Sequence, residues 1–199
     1  TLVGEETAIT LLKLSPFVSR GGLKLDYALS EFQLDVSSQV VADIGASTGG
    51  FTDCLLKRGA SRVYAVDVGH GQLDYRLRRD SRVVVMEGIN ARYPITLPEK
   101  VNLVVIDVSF ISVRKVIPSV AKLVKEGGYL LVLIKPQFEA RKEEVGRGGL
   151  IKEPARHARI LGRFIAWAVE QNFRLIGLVA SPVLGASGNR EFFVLIKFT

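Results

Sequence analysis

Cysteine, histidine and long apolar runs are all scarce in this chain of 199 residues. The sequence has one cysteine, Cys54, and two histidines, His70 and His157, which stand far apart. A single cysteine excludes a disulfide framework within the chain, so we expect a protein of the reducing cytoplasm. The histidines have no cysteine nearby, and no metal-ligand pattern is present. No run approaches the roughly 18 apolar residues of a membrane span, and no signal peptide is recognisable, so we expect no membrane partner.

Acidic residues are outnumbered by basic ones, 20 against 27, which gives a net charge of +7. A basic protein favours a polyanionic partner because binding displaces counterions from phosphates. An enzyme whose charge only keeps it dispersed would show the same balance, so charge alone gives nucleic acid a modest preference. The hydrophobic fraction of 48% predicts one folded domain with a sizeable core. Cys54 stands in a predicted helix, where we expect a buried thiol rather than a nucleophile.

Apolar strand-like runs alternate with helical patterns along the chain. The predicted strands are 40–45, 62–69, 82–88, 101–109, 128–136, 173–181 and 191–198. The predicted helices are 18–34, 51–59, 113–124 (ended by Glu126, Gly127 and Gly128) and 153–171. Continuous apolar strands separated by helices indicate a parallel sheet that is covered on both faces. The last two strands have no helix between them and are expected to be antiparallel neighbours. This pattern predicts a Rossmann-like class I S-adenosylmethionine-dependent methyltransferase fold with seven strands.

A glycine turn follows the first predicted strand in the sequence VADIGASTGGFTD. It reads GASTGG rather than GxGxxG, so a pyrophosphate-binding role is weak, and Asp43 would repel a phosphate. Asp43 instead suits the cationic end of S-adenosylmethionine, and Asp67, 22 residues beyond Gly45, suits two ribose hydroxyls. Asn90 follows the third predicted strand and is a candidate for contact with adenine or its ribose. The alternative is that the glycines only make a tight turn and that Asn90 is an ordinary turn residue. The candidate cofactor residues are Asp43, Gly45, Ala46, Ser47, Thr48, Gly49, Gly50, Phe51, Asp67, Val68, Asn90 and Asp107.

Four residues form a candidate reactive set: Lys24, Asp107, Lys135 and Glu191. Asp107 and Lys135 follow neighbouring strands, whose carboxyl ends share one edge of the sheet. A lysine at the end of an apolar strand is costly unless it is paired. A structural Lys135–Asp107 salt bridge would account for that pair alone, whereas convergence of all four residues would indicate catalysis. Transfer of a methyl group to a ribose 2′-hydroxyl needs such a set, since a base must accept the hydroxyl proton.

The chain resembles the TlyA family of haemolysin-type rRNA methyltransferases and, more broadly, the FtsJ-like methyltransferase domain. The matching stretches are VSRGGLKL, DIGASTGGFTD, VYAVDVGHGQLDYRLR, NAR, VIDVSFIS, LIKPQFE, VGRGG and SPVLGASGNREFF. The resemblance implies that the four residues are a catalytic tetrad with Lys135 as the central base. It also implies cytidine 2′-O-methylation in ribosomal RNA, with rRNA or ribosomal subunits as partners. It implies a domain at 18–199, preceded at 1–17 by a linker or arm from an N-terminal S4-type RNA-binding domain.

Two stretches rich in cations, 57–82 and 141–163, are candidates for RNA contact, although solvated helix faces explain most such runs. Phe110 and Phe138 each follow a catalytic strand and are candidates for stacking on the target base, with core packing as the alternative. Two other functions stay open: a haemolysin-like membrane-lytic protein and a non-catalytic RNA-binding module. The oligomeric state is also open. The individual candidates for RNA contact are Arg20, Arg141, Lys142 and Arg147.

Overall fold

The computed structural model describes residues 15–198, and within this range it contains a seven-stranded sheet with helices on both faces. Of the predicted arm at 1–17, residues 1–14 lie outside the described range. The strands are β1 (Val40–Ile44), β2 (Arg62–Val66), β3 (Val83–Met86), β4 (Val101–Ile106), β5 (Val124–Ile134), β6 (Arg174–Ala180) and β7 (Phe192–Lys197). The α-helices are α1 (Arg20–Glu31), α2 (Gly50–Lys57), α3 (Tyr75–Arg78), α4 (Ile117–Val120), α5 (Pro136–Glu139) and α6 (Pro154–Glu170). Short 3-10 turns cover Val113–Lys115, Ala121–Leu123, Lys142–Glu144 and Arg147–Gly149.

The strand order in the sheet is β3-β2-β1-β4-β5-β7-β6. Strands β1 to β5 pair in parallel, and β7 lies antiparallel to both β5 and β6. The predicted α/β fold with an antiparallel end is therefore confirmed. Because β7 runs in the opposite direction, its first residues lie at the edge where β4 and β5 finish. Ile134 at the end of β5 pairs with Phe192 at the start of β7.

Two apolar cores lie on opposite faces of the sheet. On one face, α1 and α2 bury Leu25, Leu29, Phe51 and Leu55 against the strands. On the other face, α6 and the segment 113–123 pack over a second cluster. Cys54 is completely buried in the first core, as predicted, and burial raises the pKa of its thiol to about 12. A thiol held in its protonated form is a poor nucleophile.

The predicted helix over 113–124 is wrong in its continuity and in its end. Two 3-10 turns flank the four-residue helix α4, and β5 already begins at Val124. Valine and isoleucine have low helix propensity, and Pro118 removes a backbone donor, so a long regular helix is disfavoured. The glycine pair that was expected to end the helix lies inside β5, where Gly127 N–H donates to Phe198 O and Phe198 N–H donates to Gly128 O.

Candidate active site

A cavity of about 250 Å³ lies at the carboxyl edge of the parallel strands and brings the four predicted reactive residues together. We call it the tetrad cavity; Lys24, Asp107, Lys135 and Glu191 all line it. The four side chains form two ion pairs. Lys24 Nζ lies 2.5 Å from Glu191 Oε2, and Lys135 Nζ lies 2.6 Å from Asp107 Oδ1. Buried ion pairs contribute little net stability, because desolvation offsets much of their attraction. Two pairs facing one cavity therefore call for a reason other than stability.

The sheet explains why residues so far apart in sequence meet here. Asp107 directly follows β4 and Lys135 directly follows β5, so parallel pairing brings them to the same edge. Glu191 directly precedes β7, whose reversed direction delivers its first residues to that edge. Lys24 comes from α1, where the neighbouring Leu25 and Ala28 anchor the helix in the core. Lys24 and Glu191 are only 8% and 3% exposed, so each ammonium or carboxylate depends on its partner.

A second cavity, of about 380 Å³, adjoins the first and shares Gly45, Ser47 and Asp107 with it. We call it the Asp67 cavity. Asp67 Oδ2 accepts a hydrogen bond from Ser47 N–H at 2.8 Å, and Asp67 Oδ1 accepts one from Gly69 N–H at 2.7 Å. These bonds fix the carboxylate at the end of β2 beside the glycine turn. Val68 and Asn90 also line this cavity, and Asn90 Oδ1 accepts from Arg92 N–H within its own turn.

The glycine turn between β1 and α2 forms the wall between the two cavities. Gly45 has φ +87°, and a Cβ at this position would lie 2.4 Å from the carbonyl oxygen of Asp107. Only glycine allows β1 and β4 to end this close together. Ala46, Ser47, Thr48, Gly50 and Phe51 line the tetrad cavity, and only Ser47 among them also lines the Asp67 cavity, so their binding of the cofactor stays a prediction. Gly49 instead faces Leu77 and Leu73, so it serves the packing of α3.

Asp43 lies beneath the turn and does not line either cavity. It is fully buried, and its Oδ2 accepts a hydrogen bond from Thr52 Oγ1 at 2.6 Å. Its Oδ1 has no partner among the described residues. Burial raises the pKa of Asp43 to about 7, and the nearby carboxylates of Asp107 and Asp67 add to this, while the Thr52 hydrogen bond opposes it. The structure places Asp43 beneath the turn rather than on a cavity wall, and its role toward the cofactor stays a prediction.

Phe110 stands at the mouth of the Asp67 cavity with 91% of its surface exposed. Core packing is thereby ruled out for this ring. It has φ +63°, an unusual conformation for a residue other than glycine, and its ring centroid lies 5.2 Å from that of Phe138. The two rings form an aromatic surface beside Asp107 and Lys135. Phe138 is half-buried and supports the exposed ring of Phe110, which can stack on an unpaired base.

Comparison with known proteins places the chain in a family. The FtsJ-like methyltransferase family model matches residues 17–198. The chain belongs to the FtsJ-like methyltransferase family. YqxC of Bacillus subtilis (strain 168) is 47% identical over 88% of this chain and 64% of YqxC. A Mycobacterium tuberculosis (strain CDC 1551 / Oshkosh) relative, named 16S/23S rRNA (cytidine-2'-O)-methyltransferase TlyA, is 43% identical over 99% of this chain and 75% of TlyA.

A solved structure from Streptococcus thermophilus, a protein that carries the hemolysin name, superposes with a TM-score of 0.90 at 45% identity. The match covers 94% of this chain and 69% of that one. The fold predicted from sequence is thus the fold of a close relative. This FtsJ-like chain spans less than two thirds of the length of YqxC, so the activity of the whole protein is a matter for proposal. Across residues 15–198, no helix has both the length and the apolar character needed to cross a bilayer.

Most cations of the stretch 57–82 in this FtsJ-like domain are held by acidic neighbours. Six of the seven form ion pairs, and Arg79 packs over the ring of Tyr75. Surface ion pairs therefore offset most of the positive charge of this stretch, and its contact with RNA stays a prediction. Of the other candidates, Arg20 lines the tetrad cavity. Arg141 and Lys142 are exposed and line neither cavity, and the side chain of Arg147 lies outside the described part of the molecule.

Some residues of the site were not predicted. Ser109 Oγ accepts a hydrogen bond from Lys135 Nζ at 2.8 Å and so helps to hold the lysine. Ser19 lines the tetrad cavity. A Cβ at Gly50 would lie 2.1 Å from the Ser19 hydroxyl, so the glycine allows the start of α1 to pack closely against the glycine turn. Ser109 lies in the stretch VIDVSFIS that carried the family resemblance, so a signal was present. A serine alone at a turn has too many ordinary roles for sequence to single it out.

Proposed function

We propose that this chain transfers a methyl group from S-adenosylmethionine to a ribose 2′-hydroxyl of ribosomal RNA, with cytidine as the target nucleotide. The observation that carries the proposal is the meeting of all four tetrad side chains in a cavity that adjoins the Asp67 cavity. Membership of the FtsJ-like methyltransferase family and the name of the TlyA relative support the reaction and the substrate class.

The residues of the Asp67 cavity fit an adenosine group. Asp67 is fixed by two backbone donors and keeps lone pairs for ribose hydroxyls, while Asn90 and Arg92 lie further along the wall. Gly45 lets the ligand approach the backbone closely where the two cavities meet. When bound there, the cofactor supplies an electrophilic methyl group. A substrate hydroxyl in the tetrad cavity would meet that methyl group where the two cavities join, beside Gly45, Ser47 and Asp107.

Lys135, as the neutral amine, is proposed as the base: its nitrogen takes the hydroxyl proton while the hydroxyl oxygen takes the methyl group. Its amine is held from two sides, by Asp107 and by Ser109, which leaves it directed into the tetrad cavity. Lys24 brings a second positive charge to the same cavity, and Glu191 holds Lys24 in place. A fixed base and a fixed nucleophile lower the barrier largely by positioning. The exposed ring of Phe110, packed against the half-buried Phe138, would hold the target base while its ribose enters the tetrad cavity.

The test is methyl transfer from labelled S-adenosylmethionine to ribosomal RNA and to isolated subunits, followed by nuclease digestion to locate the label. Wild type is compared with Lys135→Ala and Lys135→Arg. Lys125→Ala is the matched control, because Lys125 belongs to the same strand but is exposed near its opposite end. We expect label on a ribose 2′-oxygen in wild type and control, and its loss in both Lys135 variants. Arginine keeps the charge but stays protonated, so it cannot act as a base.

Different failures have different meanings. Cofactor binding without transfer to any RNA would favour the non-catalytic RNA-binding module. No cofactor binding at all would refute the methyltransferase proposal, since it would leave the glycine turn as a structural feature only. Full activity in Lys135→Arg would keep the reaction but remove Lys135 from the role of base.

A further inference from the structure

Glu139 is a buried carboxylate that the proposed reaction does not use. It ends α5, four residues after Lys135, and only 6% of its surface is exposed. Burial raises its pKa, while hydrogen bonds from Ser112 and Val113 and the charge of Arg114 act in the opposite direction. A charged group in such a position is costly unless its oxygens are satisfied, so its contacts indicate what it does.

Both oxygens of Glu139 bind the segment that follows β4. Oε1 accepts the backbone N–H of Val113 at 2.7 Å. Oε2 accepts the hydroxyl of Ser112 at 2.6 Å and the Arg114 guanidinium at 3.3 Å. Glu139 therefore joins the segment after β5, which carries Lys135, to the far end of the segment after β4, which begins with Asp107.

The segment between Asp107 and Ser112 is fixed at both ends. At its start, Asp107 N–H donates to the carbonyl oxygen of Ile44 in β1 at 2.9 Å. At its end, Glu139 holds Ser112. The residues between form an arch with Phe110 at the top, exposed and at φ +63°. A positive φ at a phenylalanine is strained and persists only when the surroundings impose it. Glu139 supplies that constraint on one side of the arch.

We propose that Glu139 is a positioning residue, which holds the arch 107–112 so that Asp107 faces Lys135 and Phe110 stands exposed at the cavity mouth. The part of this proposal that concerns methyl transfer rests on the function proposed above. The part that concerns the arch does not. Glu139 touches neither proposed ligand directly, and it acts through Ser112 and Val113.

The variants are Glu139→Ala, which removes all three hydrogen bonds, and Glu139→Gln, which keeps an acceptor for Val113 N–H and a partner for the Ser112 hydroxyl. Glu99→Ala is the matched control, since Glu99 also binds an arginine and a hydroxyl, Arg62 and Tyr64, but precedes β4 at the opposite edge of the sheet. Two quantities are measured in each protein: amide hydrogen exchange across the arch, and kcat and KM for methyl transfer to ribosomal RNA.

We expect amide exchange between 108 and 113 to accelerate at least tenfold in Glu139→Ala, and to change little in Glu139→Gln and Glu99→Ala. We expect kcat to fall on the order of 10²-fold in Glu139→Ala, as for a reacting group misplaced by about 1 Å. The glutamine variant should recover kcat to within a few-fold of wild type. Recovery separates positioning from a need for the charge.

Unchanged exchange across the arch in Glu139→Ala would overturn the proposal, whether or not the wild type transfers methyl groups. An equal loss of kcat in Glu99→Ala would also overturn it, because the effect would then be one of general stability. If wild type transfers no methyl group, the proposed function fails, and the exchange measurement still decides whether Glu139 holds the arch. Melting temperatures of all variants show whether each is folded before either quantity is compared.

Discussion

Replacing Asp43 by asparagine should change how stability depends on pH. Burial raises the pKa of Asp43 from 3.8 to about 7, so the native protein binds a proton there that the unfolded chain releases at lower pH. Wherever the unfolded state binds fewer protons, stability falls as pH rises. The contribution of Asp43 to the free energy of unfolding is therefore fully present below about pH 3.8 and is lost progressively as pH rises toward 7. Above pH 7 this contribution changes little. Asparagine resembles the protonated carboxyl group and has no such dependence.

The pKa values give the size of the effect. The difference between a pKa of 3.8 and one of about 7 lowers the free energy of unfolding by an amount on the order of 4 kcal/mol over the full titration of Asp43. Between pH 4.5 and pH 7.5, the decrease is about 3 kcal/mol. Carboxylates with lowered pKa values, such as Glu144 at about 2, stabilise the fold at neutral pH and lose this stabilisation mainly at pH values below 4.5. Subtracting the free energy of unfolding of wild type from that of the variant cancels the effect of the groups that titrate in both proteins.

Urea denaturation at pH 4.5 and pH 7.5 measures this difference. The amide oxygen introduced by Asp43→Asn can still accept the Thr52 hydroxyl, so the variant should fold. We expect its free energy of unfolding, relative to wild type, to rise by about 3 kcal/mol from the lower to the higher pH. Asp35→Asn, at an exposed carboxylate, is the control and should give the same difference at both values. A relative stability of Asp43→Asn that stays constant within about 1 kcal/mol would refute the reasoning, since about 1.4 kcal/mol is one pKa unit.

Three further outcomes are expected. Gly45→Ala should lower the melting temperature and weaken S-adenosylmethionine binding, measured by calorimetry, at least tenfold. Gly71→Ala, also at positive φ but with no atom within 4 Å of the new Cβ, should leave binding intact. Equal binding losses in the two variants would contradict the argument that the ligand approaches the backbone closely at Gly45. Native Cys54 should react with a thiol reagent at least 10²-fold more slowly than the denatured chain, and rapid native labelling would contradict its burial. Phe110→Ala should lower kcat/KM for RNA about tenfold, the value of one base stacked on an aromatic ring, and an unchanged kcat/KM would remove Phe110 from base recognition.

The sequence was most informative where strand geometry determines position. Continuous apolar strands predict a parallel sheet, and parallel strands bring Asp107 and Lys135 to one edge whatever their side-chain details. Glu191 borders the last predicted strand, and the reversed direction of β7 in the structure explains why it reaches the same edge. The selection of all four tetrad residues from sequence is matched by their common cavity, and their catalytic roles stay a prediction.

Other features depend on contacts that no local pattern encodes. The segment 113–123 has helical spacing, but Pro118 and several β-branched residues break it into short turns. Asp43 was expected at the ligand because it adjoins the glycine turn, yet the pleat of β1 points its carboxylate into the interior, toward Thr52. Glu139 lies in the stretch LIKPQFE that carried the family resemblance, but no local pattern identifies its partners Ser112 and Val113, which lie more than 25 residues before it.

The ion pair between Lys24 and Glu191 joins residues 167 positions apart. During synthesis, Lys24 emerges early and Glu191 late, with every strand except β7 completed in between. Until Glu191 and β7 are made, Lys24 lacks its carboxylate partner and β6 lacks the strand with which it pairs. The four tetrad side chains therefore meet only when β7 has paired with β5 and β6. In the proposed function, catalysis therefore depends on a contact that forms only when the last strand of the sheet is in place.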